Sequence, residues 1–423
     1  MPSPRQVADV QYSALDGTPL HRVGVRYSRI EDGELTPEAF DAPLFGDATT
    51  ALQDMFAEIK DGDVVRFRRL HDCSAPLYTA ANNVSFVSDT PYSRAGIRGK
   101  TENMQIVTLG GYGNLWEGPT LIGDGTLAGE GAGSTIKGLA FIRADGSKDV
   151  DAKVLGGTFY LLHECIRAKG ANLRVTGTDF STSFRGVVIE QNGEDECRGH
   201  VIKNNRFHSF GGLGSASKCI VLHDTAFSCE ITDNYADAIY TFFEGPVNNT
   251  KIDNNNLFKV VAEAITLRDP INSVNPGNSN NPGGWQLTGS VSGNTIYKNS
   301  PGYFLTSGMS LRQLRNGKVI GNTVIGPRAH GIALYDCTSN VISGNVVVSH
   351  NYVPTDAGFA GIYGDDQSIG NNITSAIIRS AGIYNSDSMG ISVHADNVVE
   401  LCTVDPVYGA KRYPRAVPTL GIS

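Results

Sequence analysis

From Gly317 to His350 the chain states one pattern twice. Val319 and Ile342 each open a run of apolar, two variable residues, Asn, one variable residue, apolar, so that Asn322 precedes Val324 and Asn345 precedes Val347. Short β-branched runs punctuated by Asn and Gly at a 23-residue spacing predict stacked β coils rather than a helical solenoid. The first apolar position recurs at Ile136, Val154, Val175, Ile202, Ile231, Ile252, Val291, Val319, Ile342 and, loosely, Ile369. The Asn position is filled by Asn205, Asn234, Asn255, Asn294, Asn322, Asn345 and Asn372, and earlier by Leu139, Gly157 and Thr178. Asn tolerates left-handed turn geometry and can hydrogen-bond its copies from coil to coil. These Asn therefore read as scaffold.

A second pattern (a small residue, then apolar, variable, apolar, variable) appears as G-V-V-I-E at 186–190, C-I-V-L-H-D at 219–224 and A-I-T-L-R-D at 264–269. It recurs as G-M-S-L-R-Q at 308–313, G-I-A-L-Y-D at 331–336, G-I-Y-G-D-D at 361–366 and G-I-S-V-H-A-D at 390–396. Alternation along a strand turns the variable residues outward. Stacking then predicts a row of Glu190, His223, Arg268, Arg312, Tyr335, Asp365 and His394, with Glu244 entering between His223 and Arg268, and Asp224, Asp269, Asp336 and Asp396 just past the strand ends.

A line of Glu, His, Arg, Tyr and Asp has the composition of a glycan groove. Hydrolysis needs two carboxyl groups about 5 Å apart for retention or roughly 6.5–9.5 Å apart for inversion. Glu244 with Asp269, and Asp336 with Asp365, are the candidate catalytic pairs. Elimination from a uronic acid is the alternative, with Arg268 and Arg312 neutralising the sugar carboxylate and Tyr335, His394 or an Arg taking the proton. Glu190, His223 and the other row members would bind substrate, and Trp285, closing the polar insertion 269–285, can stack on a sugar face. The plainer possibility is that acids beside Arg on neighbouring strands are cross-strand ion pairs.

At the other end of the chain, Leu52, Met55, Phe56 and Ile59 follow the i, i+3, i+4, i+7 spacing of a one-sided helix over 46–62. Thr50 and Gln53 form a capping-box candidate, and Gly62 a stop. The strand Asp63-Val64-Val65-Arg66-Phe67 follows at once. A helix placed there would cover the apolar end of the first coil. The Asp and Thr start, the A-L-Q-x-x-F helix (51–56) and the G-D-V-V-x-F strand (62–67) resemble the entry segment of the pectate-lyase-like right-handed β-helix superfamily, which includes phage tailspikes. Arg68-Arg69-Leu70-His71 stands where that superfamily usually has a Pro-Pro-Gly turn.

The resemblance implies an all-β, right-handed parallel β-helix of about ten or more coils with one capping helix. The expected divisions are an attachment segment at 1–45, the capping helix and first strand at 46–67, the β-helix at 68–404 and a tail at 405–423. Among its members the chain is most similar to a tailspike. That likeness implies a virion tail protein, a homotrimer that binds and often cleaves a bacterial surface polysaccharide, with the N-terminal segment meeting other tail proteins. A non-catalytic receptor-binding or structural tail role stays open, and the twenty or so residues after Val404 leave little room for a trimerisation domain.

Composition narrows the alternatives. With 49 Gly and 18% charged residues in 423, turn-dense β structure is favoured over helix bundles. A net charge of −8 argues against a nucleic-acid partner. The seven Cys include no C-x-x-C pair and read as buried thiols. No apolar leader opens the chain and no run approaches a membrane span. Nothing calls for a metal or cofactor: the acidic clusters lack an EF-hand spacing, and G-G-Y-G-N at 110–114 is a turn with no helix after it.

Overall fold

The computed structural model describes residues 10–12, 19–23, 26–29, 34–88, 95–124, 135–147, 149–191, 197–210, 217–223, 226–246, 248–267, 288–298, 306–350, 360–380 and 389–406. They form two compact units, Met1–Cys197 and Arg198–Ser423, built on one plan. Lys318–Ile320 is a strand of a first sheet, Gly321 and Asn322 turn the chain, and Thr323–Ile325 is a strand of a second. Ile332–Tyr335 belongs to a third sheet. Val341–Ser343 then returns to lie parallel to the starting strand, with Val319 against Ile342. One turn of chain is thus one coil of a parallel β-helix, and the 23-residue spacing is its length here.

In the first unit the first sheet has six strands, from Glu34–Leu35 to Arg174–Thr176, and the other two have five each. In the second unit the first and second sheets have eight each and the third has seven, from Lys218–Leu222 to Met389–Ser392. Val10–Tyr12, Pro19–Val23 and Arg26–Arg29 form a separate antiparallel sheet.

Most first- and second-sheet strands are three residues long because a coil needs only one inward side chain per sheet. Ile202, Ile231, Ile252, Val291, Val319, Ile342 and Ile373 make one buried column. The register confirms most of the predicted positions and corrects four. Ile136 and Leu139 belong at the third sheet, where Leu139 pairs with Ile166, and the first-sheet neighbour of Val154 is Trp116. Ile373, not Ile369, ends the buried column. Asn372 is an exposed strand residue opposite Val341, and the slot after Asn345 is taken by Ala376, since Val346 pairs with Ile377.

The turn between the first and second sheets carries the polar half of the core. Asn205, Asn234, Asn255, Asn294, Asn322 and Asn345 are all buried. The backbone N–H and the Nδ2 of each donate to Oδ1 of the next, at 2.9–3.1 Å. From Asn234 onward Nδ2 also donates to a carbonyl of the preceding coil: Ile202, Ile231, Ile252, Val291 and Val319 in turn. An interior member thus satisfies both of its Nδ2 protons and both Oδ1 lone pairs. The left-handed residue is the one before each ladder Asn, namely Asn204, Asp233, Asn254, Gly293, Gly321 and Gly344. The ladder Asn were therefore selected for stacking and not for αL tolerance.

A second ladder stands where the third sheet turns back to the first. Asn340 donates to Asn371 and Asn371 to Asn397, again through N–H and Nδ2, at 2.8–3.1 Å.

At the N-terminal end the helix spans Thr49–Glu58. It buries Leu52, Met55 and Phe56 as its spacing predicts, worth about 2 kcal/mol each, and Phe56 stacks on Phe86 at 5.6 Å. The capping box at Thr50 does not form. Thr50 lies inside the helix and Asp47 takes the Thr49 N–H at 2.9 Å, because a backbone bridge from Asp47 to Asp72 holds its carboxylate at the helix start. Six of the seven Cys are buried free thiols and Cys402 is partly exposed, with burial pushing Cys165 and Cys337 up to about 12.

Asn255→Ala removes four ladder bonds and leaves buried donors and acceptors without partners, so it should cost at least about 3 kcal/mol. Asn372→Ala, on the exposed strand, should stay within about 0.5 kcal/mol. Denaturant midpoints of the two variants check the difference.

Candidate functional site

The seven predicted strand motifs from 186 to 396 all fall on the third sheet, and their variable residues do point outward. In the second unit the register resolves them into parallel rows. One row runs through Val221, Glu244, Thr266, Ser310, Ala333, Tyr363 and Ser392. The next, two residues further along each strand, holds Arg312 beside Tyr335, with Asp365 following where Leu334 pairs with Gly364.

Glu244 therefore stands in the row of Thr266 and not between His223 and Arg268. The N–H groups of Phe242 and Phe243 both reach the Ala264 carbonyl, at 3.0 and 3.1 Å. This two-against-one bulge displaces the count of residues along that strand.

By side-chain size the row that contains Glu244 is a shallow trough, with Ser310 and Ala333 buried beneath their larger neighbours. Thr266, Ser310 and Ala333 are a floor of small side chains, with Glu244 at one end and Tyr363 at the other, four strand spacings or about 19 Å apart. Arg312 and Tyr335 line one side, the guanidinium 5.0 Å from the phenol ring centroid. Glu263 and His330 come from the other side. The His330 ring stacks on Tyr363 at 4.3 Å, and its Nδ1 accepts the Ala360 N–H at 2.9 Å, which leaves Nε2 to carry the proton of the neutral ring. Tyr335 is 6.0 Å from Tyr363.

The electrostatics converge on Glu263, which the sequence patterns did not single out. Burial pushes the Tyr335 phenol up, and Tyr363, Glu263 and Asp365 add to the shift against the pull of Arg312. Tyr240 is likewise raised, by burial and then Glu263. Lys298, buried behind the site, donates to Thr306 Oγ1, to the Thr306 carbonyl at 3.2 Å and to the Ser307 carbonyl at 3.0 Å. Its burial lowers the ammonium to about 7, with Glu263 opposing and Arg328 assisting. No repeat pattern could have announced Glu263 or Lys298, because both sit in the irregular segments between sheets.

The remaining predicted residues are placed as follows. Glu190 accepts Arg167 at 3.1 Å and lies 3.8 Å from Lys169. Glu244 pairs with Lys218. His223 is half-buried after its strand, its carbonyl taking the Ala226 N–H. Asp336, with φ +50°, pairs with Arg315 at 3.3 Å. The Asp365 carboxylate accepts the Asp336 N–H at 3.1 Å and the Ser368 hydroxyl at 2.7 Å, so it fixes the strand end. His394 meets Asp396 in its own turn at 3.4 Å. Asp224, Arg268, Asp269 and Trp285 lie outside the described residues.

Among the described residues no group of three or more His, Cys, Asp or Glu is gathered as for a metal ion, and no helix is long and apolar enough to cross a membrane.

No protein-family model matches the sequence, and no curated protein matches it. Solved structures do. The Dettilon tailspike protein (gp208) is 14% identical, covering 88% of this chain and 68% of its own, with a TM-score of 0.55. A point mutant of DFA-IIIase from Arthrobacter chlorophenolicus A6 is 12% identical, covering 89% of this chain and 100% of its own, with a TM-score of 0.60. The same enzyme in complex with GF2 is 13% identical over 82% of this chain and 94% of its own, at 0.59. At these identities the likeness establishes the fold, a right-handed parallel β-helix.

The Lys298 shift has a stability consequence. In the unfolded chain this lysine titrates near 10.4, so between about pH 7 and 10 the unfolded state binds the extra proton and stability rises with pH. The burial penalty is fully present below pH 7 and is relieved above it. Compared with Lys298→Met, the wild type should gain about 2 kcal/mol between pH 7 and pH 9, as read by denaturant unfolding at each pH.

Proposed function

We propose that the chain binds a bacterial surface polysaccharide along the third-sheet trough of the second unit and cleaves it by hydrolysis, in the manner of a phage tailspike. The observation that carries this reading is the trough itself. A floor of Thr266, Ser310 and Ala333 is flanked by Glu244, Glu263, Arg312, Tyr335, His330 and Tyr363, which combine carboxylates, hydrogen-bond donors and ring faces along a line several sugar units long. That a tailspike and DFA-IIIase share the fold supports a glycan ligand.

Glu244 and Glu263 supply the carboxyl pair. Glu263 lies one strand over and three residues before Thr266, the register partner of Glu244, a Cα separation of roughly 11 Å, wider than the close carboxyl pair of a retaining enzyme and so in favour of a water-mediated inverting displacement. Glu244, paired with Lys218, is assigned the base and Glu263 the proton donor. Asp269, beside Arg268, is the alternative partner for Glu244. Asp336 and Asp365, engaged with Arg315, backbone and Ser368, hold the end of the trough. Arg312, Tyr335 and His330 bind sugar hydroxyls, while His223 and His394 of the same sheet would extend contact beyond it. Hydrolysis is favoured over elimination by Tyr335, whose phenol is raised where a proton-abstracting tyrosinate must be lowered.

The experiment is a panel of bacterial capsule and O-antigen polysaccharides incubated with the purified chain. One of them should be shortened, with no near-ultraviolet absorbance from unsaturated ends. Glu244→Gln and Glu263→Gln should each reduce turnover at least about 100-fold while binding of that polymer persists. Full activity in both variants, or unsaturated products, would overturn the assignment.

A further inference from the structure

The strand Thr295–Tyr297 turns Ile296 inward and Tyr297 outward, so alternation carries the next residue, Lys298, into the interior where that strand of the second sheet ends. Its side chain is buried. The ammonium donates to Thr306 Oγ1 and to the carbonyls of Thr306 and Ser307, the latter two at 3.2 and 3.0 Å. All three of its protons are thereby matched. Lys298 has no donor left for a ligand, and its role lies in what it holds.

What it holds is the chain on either side of Glu263. The Thr306 hydroxyl, which accepts from Lys298, donates to the Val261 carbonyl at 3.3 Å, two residues before Glu263. Just after Glu263, the Ala264 N–H donates to the Gly308 carbonyl at 2.9 Å. The segment gripped by Lys298 therefore brackets Glu263 from both directions along the chain. Glu263 itself is half-buried, and among the described residues its carboxylate accepts no hydrogen bond and joins no ion pair. The backbone around it is fixed while its functional end is left open.

The charges agree with the contacts. Burial lowers the Lys298 ammonium to about 7, Glu263 draws it back up and Arg328 pushes it further down. In an inverting hydrolysis the water oxygen bonds to the sugar carbon as its proton passes to Glu244. The glycosidic C–O bond breaks, and Glu263 gives its proton to the leaving oxygen. Glu263 thus turns negative only as the bond breaks, and an ammonium fixed behind it attracts the charge that forms there.

We propose that Lys298 is a positioning residue for the cleavage step: through Thr306 it fixes the segment that carries Glu263, and it sets a buried positive charge behind this carboxylate. The inference rests on the hydrolase reading above and extends it to a residue that does not meet the substrate.

The test has one arm without substrate. In the full chain carrying carbon-13-labelled lysine, one lysine NMR signal should titrate at about 7 and be missing from Lys298→Met. Its midpoint should fall by about 0.5 or more in Glu263→Gln and stay in place in Glu244→Gln, since Glu244 pairs with Lys218. The second arm uses the polysaccharide shortened in the panel above. Lys298→Met should lower kcat about tenfold with KM little changed. Thr306→Val should also lower kcat, and Thr306→Ser, which keeps the hydroxyl, should restore it. A lysine signal that titrates identically in Glu263→Gln, or full kcat in both Lys298→Met and Thr306→Val, would overturn the proposal. If the lysine midpoint follows Glu263 and no polysaccharide is shortened, the hydrolase reading fails while the pairing of Lys298 with Glu263 stands.

Discussion

The constraint on which the structure depends is that, in a parallel β-helix, each residue's nearest neighbour across the ladder is its counterpart one coil away. Apolar side chains meet this condition by stacking into columns. A buried polar side chain meets it only if its donors fit the acceptors of its own copy, and Asn does so because one amide carries both. The six-membered ladder from Asn205 to Asn345 follows. Without it, the tight turn joining the first and second sheets would bury backbone groups that nothing else reaches.

The same rule shapes the outer surface. Residues facing solvent are also stacked on their counterparts, so a chain that varies them coil by coil writes a linear arrangement of chemistry along a sheet. In the second unit that arrangement is a run of small side chains, Thr266, Ser310 and Ala333, bordered by carboxylates, cations and rings. In the first it is an ion-pair network around Arg167. The irregular segments between sheets are released from the repeat, and they supply the groups that the strands do not, Glu263 and Lys298 among them. Lys298 illustrates the cost: its ammonium is out of water and is matched by two carbonyls and a hydroxyl from the segment that leads into the strand carrying Ser310 and Arg312.

The legible part of the sequence was the part that repeats. The period, the Ile and Val column and the ladder Asn were readable because one physical requirement recurs every coil. Readings failed where the repeat is broken. Asn372 looked like a ladder member but is a strand residue, since Ala376 ends the ladder. Glu244 was assigned to the wrong row because the Phe242–Phe243 bulge adds a residue that no periodicity records. The second ladder, Asn340, Asn371 and Asn397, is as regular in space as the first, but with three members it repeats too few times to stand out from the other Asn of the turns. Of the candidate site, Arg312 and Tyr335 were legible as outward residues of adjacent repeats. Glu263 was not, since nothing local distinguishes an acid in a connecting segment from a solvated one.

The central claim is that ligand lies along the third-sheet trough of the second unit. Its most direct test is hydrogen–deuterium exchange of the full chain with and without an oligosaccharide taken from a polysaccharide that it binds. The account predicts added protection in Met309–Arg312, Ile332–Tyr335 and Ala360–Gly364, with little change in the first-sheet strands Lys318–Ile320 and Val341–Ser343. Protection confined to the first or second sheet, with the third unchanged, would contradict it.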